Sequence, residues 1–145
     1  MKTKRVKKGV VAVVFKRVGR SKKFLLLYRV LHWRGWEMPK GGLDGREKPA
    51  KAVLRELGEE AGVSVDEIVS IKSLRSRLKF VAKSGRPRDL KVFLVEVMSS
   101  TRGSLARNPF PEHSRLQWVS ERRALKMLSW REARKLFEDV SNEVR

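Results

Sequence analysis

The segment from Pro49 to Gly62 constrains the fold most, because it predicts a helix with both ends marked. Pro49 suits the first helical turn, where its missing N–H is not needed, and Gly62 suits the residue that follows the last turn. Between them, apolar residues recur at the spacing of one helix face: Val53, Leu54, Leu57 and Ala61. We therefore expect one face of this helix to pack against a hydrophobic core.

The same helix carries a cluster of carboxylates at Glu56, Glu59 and Glu60. Their i, i+3 and i+4 spacing places them within reach of one another on a single face, which we expect to lie opposite the core and in water. Three like charges repel unless a divalent cation neutralises them, and carboxylate oxygens are the ligands that Mg²⁺ prefers. The alternative is an ordinary solvated acidic face, which is the commoner role of such a triplet taken alone.

Predicted strands lie on both sides of this helix. Residues 9–17 and 24–31 predict a hairpin, 68–83 and 90–98 predict two long strands, and 116–119 predict a short one, while 35–45 and 102–113 predict loops. Two helical patterns, 121–128 and 130–140, close the chain. The order predicts an α/β fold with a mixed β-sheet flanked by helices, in a single domain over residues 1–145 that begins with a basic arm at 1–8.

The residues around the acidic helix have a fixed spacing. Gly41 is followed by five residues and Glu47, then by seven residues and the run Arg55-Glu56-Leu57-Gly58-Glu59-Glu60-Ala61-Gly62-Val63. This pattern resembles the Nudix box. The resemblance implies a Nudix hydrolase, which has an α/β/α sandwich fold and uses Mg²⁺ or Mn²⁺ to cleave a nucleoside diphosphate linked to another group.

The resemblance also implies roles for individual residues. The metal ligands would be Glu56, Glu59, Glu60 and the carbonyl of Gly41. Glu47 would pair with Arg55 and orient the loop against the helix. A bound metal can lower the pKa of a water molecule that then attacks phosphorus. Members of the family use either a box glutamate or a distant one as general base, and the two candidates are Glu59 and Glu112.

Residues outside the box narrow the resemblance. Trp36-Glu37-Met38-Pro39-Lys40-Gly41 is similar to both dinucleoside tetraphosphate hydrolases and messenger RNA decapping enzymes, and it implies that Lys40 contacts the polyphosphate. Glu112-His113 resembles an element of asymmetrical diadenosine tetraphosphate hydrolases. Trp36, Phe80 and His113 are candidate substrate contacts. Core packing is an equal alternative for Phe80, and an ordinary loop histidine is an equal alternative for His113.

The charge of the chain points to a polyanionic partner. There are 35 Lys and Arg against 16 Asp and Glu, which gives a net charge of +19. Such a surface can hold RNA through phosphate contacts that fix position without reading sequence. In the predicted strand 68–83, the basic side chains share one face and the apolar ones the other. The candidate nucleic-acid contacts are Lys2, Lys4, Arg5, Lys7, Lys8, Arg75, Arg77, Lys79, Arg86 and Arg88.

Composition also excludes several classes of site. The chain has no cysteine, so disulfides, thiolate metal sites and cysteine nucleophiles are excluded. The longest apolar run, Val10 to Phe15, is too short to span a membrane, and we expect a cytoplasmic protein.

The favoured interpretation is a metal-dependent pyrophosphohydrolase acting on dinucleoside polyphosphates. The alternatives are an enzyme that removes pyrophosphate or a cap from RNA 5′ ends, and an RNA- or ribosome-associated binding protein.

Overall fold

The protein consists of a mixed β-sheet with helices on both faces. The computed structural model describes residues 5–108 and 111–144. Within these residues the sheet has seven strands. Three α-helices and one 3₁₀ turn, Val65–Glu67, accompany it. The strands are β1 (Lys7–Val18), β2 (Ser21–Arg29), β3 (Gly35–Glu37), β4 (Lys40–Gly42), β5 (Ile68–Val81), β6 (Pro87–Val97) and β7 (His113–Val119). The helices are α1 (Pro49–Ala61), α2 (Glu121–Met127) and α3 (Arg131–Ser141).

Strand β1 organises the sheet. It pairs in parallel with β6 along one edge, and β6 pairs in antiparallel with β5. Along the other edge, the end of β1 near Phe15 pairs with β2, while its start near Val11 pairs with β4. Strand β2 then pairs with β3 on one side and with β7 on the other. This order brings β4 next to the loop that enters α1, and it brings β3 and the start of β7 near the last turn of α1.

The alternation of side chains along β1 creates two cores. Val10, Ala12 and Val14 face α1, whose Val53 and Leu57 are almost completely buried against them. The intervening residues face the opposite side: Val11, Val13 and Phe15 pack toward α2 and α3. Removing a leucine or valine side chain from water contributes about 1.5–3 kcal/mol, so each face holds its helix by apolar burial. The predicted α/β/α sandwich is therefore confirmed.

Helix α1 ends as its sequence predicts. Gly62 adopts the left-handed conformation with φ of 63°, and its N–H donates to the Gly58 carbonyl at 3.2 Å. A Cβ at Gly62 would meet the backbone nitrogen of Ser104 at 2.9 Å, so glycine also permits the close approach of the following loop. Within the described residues, no helix is both long and apolar enough to cross a membrane.

The structure corrects the prediction at two loops. The segment 35–45 contains the short strands β3 and β4, and β7 begins at His113 rather than at Leu116. Strands of three residues are too short to show an alternating pattern, and they form because β1 and β2 offer free backbone edges. The predicted hairpin and the two long strands are confirmed, with the hairpin turn tightened to Gly19 and Arg20.

Candidate functional site

Arg55 fastens the loop between β4 and α1 to the helix. Its guanidinium donates to both carboxylate oxygens of Glu47, at 2.9 and 3.0 Å, and to the Gly42 carbonyl at 2.9 Å. The hydrogen bonds from Arg55 hold the pKa of Glu47 below its usual value. The structure thus brings together the pair that the sequence predicted, in a bidentate geometry that fixes orientation.

The same guanidinium reaches the acidic face of α1. Arg55 Nη1 lies 3.0 Å from a Glu56 oxygen and 3.3 Å from a Glu59 oxygen. Gly41 lies directly over Glu56, and a Cβ at Gly41 would overlap the Glu56 carboxylate. Glycine at position 41 therefore allows β4 to pass close to the predicted ligands.

The prediction that all three carboxylates face water is wrong for Glu60, and also for Glu56, whose side chain is only 13% exposed. The Glu59 side chain is 44% exposed, but the Glu60 side chain is only 6% exposed. Burial, together with the neighbouring carboxylates of Glu56, Glu37 and Glu112, raises the pKa of Glu60 well above its usual value. Glu60 turns inward because β7 and β3 place polar groups beside the last turn of α1.

A second group of polar side chains lies buried beside α1, and its central residue is Glu37 on β3. The sequence analysis did not identify Glu37 as a site residue. A buried Glu37 oxygen lies 2.6 Å from His113 Nε2 and 3.2 Å from the Arg29 guanidinium, and its other oxygen lies 3.5 Å from Lys40 Nζ. Burial alone would raise the pKa of Glu37, but the His113 hydrogen bond and the charges of Lys40 and Arg29 outweigh it and lower the pKa. The sequence offered one indication of this role, because Glu37 lies within the Trp-Glu-Met-Pro stretch that precedes Lys40.

Glu112 lies beside the box helix although it is distant in the chain. Arg29 bridges it to Glu37, with 3.2 Å to each carboxylate. Single ligand atoms of Glu60, Glu112 and His113 all lie within 4.8 Å of one another. The two candidates for the general base, Glu59 and Glu112, thus border the same carboxylate cluster.

His113 is not a loop histidine, since it begins β7 and its side chain is entirely buried. The ring lies between Glu37 and Glu60, with Nδ1 3.6 Å from a Glu60 oxygen. The ring therefore contacts these carboxylates and not solvent.

Two of the predicted substrate contacts, Trp36 and Phe80, pack against the core on the sheet face that also carries α2 and α3. Lys40 Nζ is 5.6 Å from the centre of the Phe80 ring, and Phe80 is half-buried at the edge of that core. Trp36 is also half-buried, and its ring meets Tyr28 edge to face at 5.2 Å. Lys40 therefore joins an aromatic surface to the buried carboxylates.

Among residues 5–108, several of the predicted nucleic-acid contacts bind other groups of the protein instead of standing free. Arg75 and Lys79 are exposed on β5, but Arg77 and Lys8 both bind Asp89, at 2.7 and 3.0 Å. Arg86 donates to the Arg5 carbonyl at 3.0 Å. Lys7 and Arg88 lie opposite each other in β1 and β6, and both are half-buried. Lys2 and Lys4 lie outside the described residues.

The donor set fits a divalent cation. Glu60 and Glu112 supply carboxylate oxygens within 4.8 Å of each other, and Glu56 lies beside Glu60. One buried oxygen of Glu60 has no hydrogen-bond partner among the described residues. Burying such an oxygen without a partner is costly, and hard oxygen donors suit Mg²⁺ and Mn²⁺. Glu56 and Glu60 would hold the cation from the helix, with Glu112 opposite.

The chain is similar in sequence to known proteins. The sequence model of the NUDIX domain matches residues 6–140. The chain is 26% identical over 136 residues to the asymmetrical bis(5′-nucleosyl)-tetraphosphatase of Caenorhabditis elegans, with 94% of this chain and 95% of that protein covered. It is 29% identical over 107 residues to an RNA pyrophosphohydrolase of Pseudomonas paraeruginosa, with 66% and 67% covered.

The solved structures agree on the fold. The crystal structure of a C. elegans Ap4A hydrolase binary complex superimposes with a TM-score of 0.80 at 24% identity and covers 94% of this chain and 96% of that one. Nudix hydrolases generally use divalent metals, which agrees with the carboxylate cluster on α1. Because the family model matches residues 6–140, which is nearly the whole chain and includes this cluster, the chain belongs to the NUDIX family and is a Nudix hydrolase.

Proposed function

We propose that this Nudix hydrolase cleaves dinucleoside polyphosphates such as diadenosine tetraphosphate by attack of water on a phosphoanhydride. The observation that carries the proposal is the meeting of Glu112 and His113 with the carboxylates of α1, within 4.8 Å of Glu60. A Glu-His element at this place is the feature in which the sequence resembles the asymmetrical hydrolases. The similarity over nearly the full length of the worm enzyme supports the same substrate class.

The residues divide the work of the reaction. Lys40 binds the polyphosphate as a point charge, and Phe80, 5.6 Å from its ammonium group, offers a face on which a base can stack. Glu59 or Glu112 accepts the proton of the attacking water, while Arg55 and Arg29 orient these carboxylates. A divalent cation held by Glu56 and Glu60 would neutralise charge on the phosphate oxygens and lower the pKa of a bound water.

Product analysis tests this proposal. Incubated with diadenosine tetraphosphate and Mg²⁺ or Mn²⁺, the protein is expected to release ATP and AMP in equal amounts, because one water adds across one phosphoanhydride bond. Ion-exchange chromatography of the nucleotides measures both products. Two molecules of ADP would instead indicate symmetrical cleavage, and the absence of any product above a blank without protein would contradict the proposal.

A second candidate substrate is RNA that carries a 5′ triphosphate or a nucleotide cap. The net charge of +19 and the exposed Arg75 and Lys79 on β5 favour it, because a small dinucleotide needs only a few cations. The match to an RNA pyrophosphohydrolase over two thirds of the chain supports the same class. The pairing of Arg77 and Lys8 with Asp89 weakens it, because Asp89 offsets one of these two positive charges. A binding role alone is disfavoured since the box retains every carboxylate.

A further inference from the structure

His113 has one ring nitrogen that the hydrogen bonds of the described residues do not use. Its side chain is entirely buried, and Nε2 is bound to Glu37 at 2.6 Å. Nδ1 is also buried and has no hydrogen-bond partner within the described part of the chain. The nearest Glu60 oxygen, 3.6 Å from Nδ1, also has no hydrogen-bond partner among these residues. A buried polar atom of this kind is costly unless something else binds it.

Glu37 determines which nitrogen carries the proton. Arg29 and Lys40 keep this carboxylate charged, so it accepts a hydrogen bond and cannot donate one. The proton of a neutral His113 ring therefore lies on Nε2, which leaves the lone pair of Nδ1 free. Histidines that bind metals commonly donate their other N–H to a carboxylate in this way.

The free lone pair points into the carboxylate cluster. Two ligands that each lie about 2.1 Å from one cation are about 3–4 Å apart, and the 3.6 Å between Nδ1 and Glu60 lies within that range. Glu112 completes the group, with its ligand atom within 4.8 Å of both. The side chain of Glu112 is 35% exposed, which gives a cation a route from solvent.

We propose that Nδ1 of His113 is a ligand of a divalent cation that it shares with Glu60 and Glu112. This inference rests on the proposed function only in using the same carboxylates. An imidazole nitrogen suits Mn²⁺, Co²⁺ or Zn²⁺ better than Mg²⁺, which prefers oxygen alone. The site therefore selects transition metals, and we expect Mn²⁺ to bind at least about 10-fold more tightly than Mg²⁺.

Pulsed electron paramagnetic resonance on the Mn²⁺-loaded protein, without nucleotide, tests the ligand directly. A bound imidazole produces strong ¹⁴N modulation, which we expect in the wild-type protein. The chain has only two histidines, so His32→Asn provides the matched control. Asparagine tolerates the positive φ of 71° at position 32, and the ¹⁴N modulation should persist in this variant.

Two outcomes would overturn the inference. Modulation from water protons alone would mean that His113 donates to Glu60 instead of binding metal. Loss of the ¹⁴N signal in His32→Asn would show that the signal comes from His32 and not from His113. Neither result depends on hydrolysis, so an active enzyme without ¹⁴N modulation would leave the proposed function standing and remove this ligand. Titration of the bound Mn²⁺ with Mg²⁺ measures the expected preference in the same samples.

Discussion

Replacing Glu59 by glutamine is expected to lower kcat by about 10²- to 10⁴-fold, the range typical of losing a general base or a charged group that acts in the transition state. The side chain is 44% exposed and lies 3.3 Å from Arg55. Because the change removes charge but little volume at a partly exposed position, the midpoint of thermal unfolding should stay within about 2 °C. Steady-state kinetics and a thermal melt measure both quantities.

Two further variants give this experiment its control and its alternative. Glu132→Gln removes a similar charge from the exposed first turn of α3, distant from the carboxylate cluster, and should leave kcat unchanged. Glu112→Gln tests the other candidate for the general base. If Glu59→Gln retains near-normal turnover while Glu112→Gln loses it, Glu59 is not the base and Glu112 is.

Replacing Gly41 by alanine is expected to lower kcat by about 100-fold without unfolding the protein, since a displacement of a catalytic group by about 1 Å has effects of this size. The new Cβ would overlap the carboxylate of Glu56, which is the mobile end of a flexible side chain. The carboxylate would move away while β4 and α1 stay packed. Steady-state kinetics measures the loss, and Mn²⁺ affinity should fall in parallel.

The neighbouring glycine provides the matched control. A Cβ at Gly42 would meet only the end of the Lys7 side chain, at 3.0 Å, which can move into solvent. Gly42→Ala should therefore keep kcat and Mn²⁺ affinity close to those of the wild type. Equal kinetics for the two alanine variants would contradict the account, because it would mean that the position of the Glu56 carboxylate does not matter.

The parts of the site that lie close together in the chain could be predicted from the sequence. Glu56, Glu59 and Glu60 share one turn and a half of α1, and Arg55 reaches Glu47 across a single loop. Helical spacing and the box pattern are sufficient to bring such residues together. The acidic face and the structural ion pair were predicted for this reason.

The inner half of the site could not be predicted, because it depends on how strands pair. Glu37 lies next to Leu27 in the β2–β3 register, while His113 lies opposite Arg29 in the β2–β7 register. A shift of one residue in either pairing would turn these side chains to the other face of the sheet. Nothing in the local sequence fixes those registers, so Arg29 and Glu37 were missed and the burial of Glu60 was unexpected.

A competition experiment tests the central claim most directly. Diadenosine tetraphosphate and a 5′-triphosphorylated RNA are mixed at equal concentration with the protein and Mn²⁺, and their products are followed together, with a sample without protein as the blank. We expect ATP and AMP to form faster than pyrophosphate or phosphate is released from the RNA. Faster processing of the RNA, with a rate that falls steeply as salt rises, would contradict the proposed substrate and make the basic surface part of the active site.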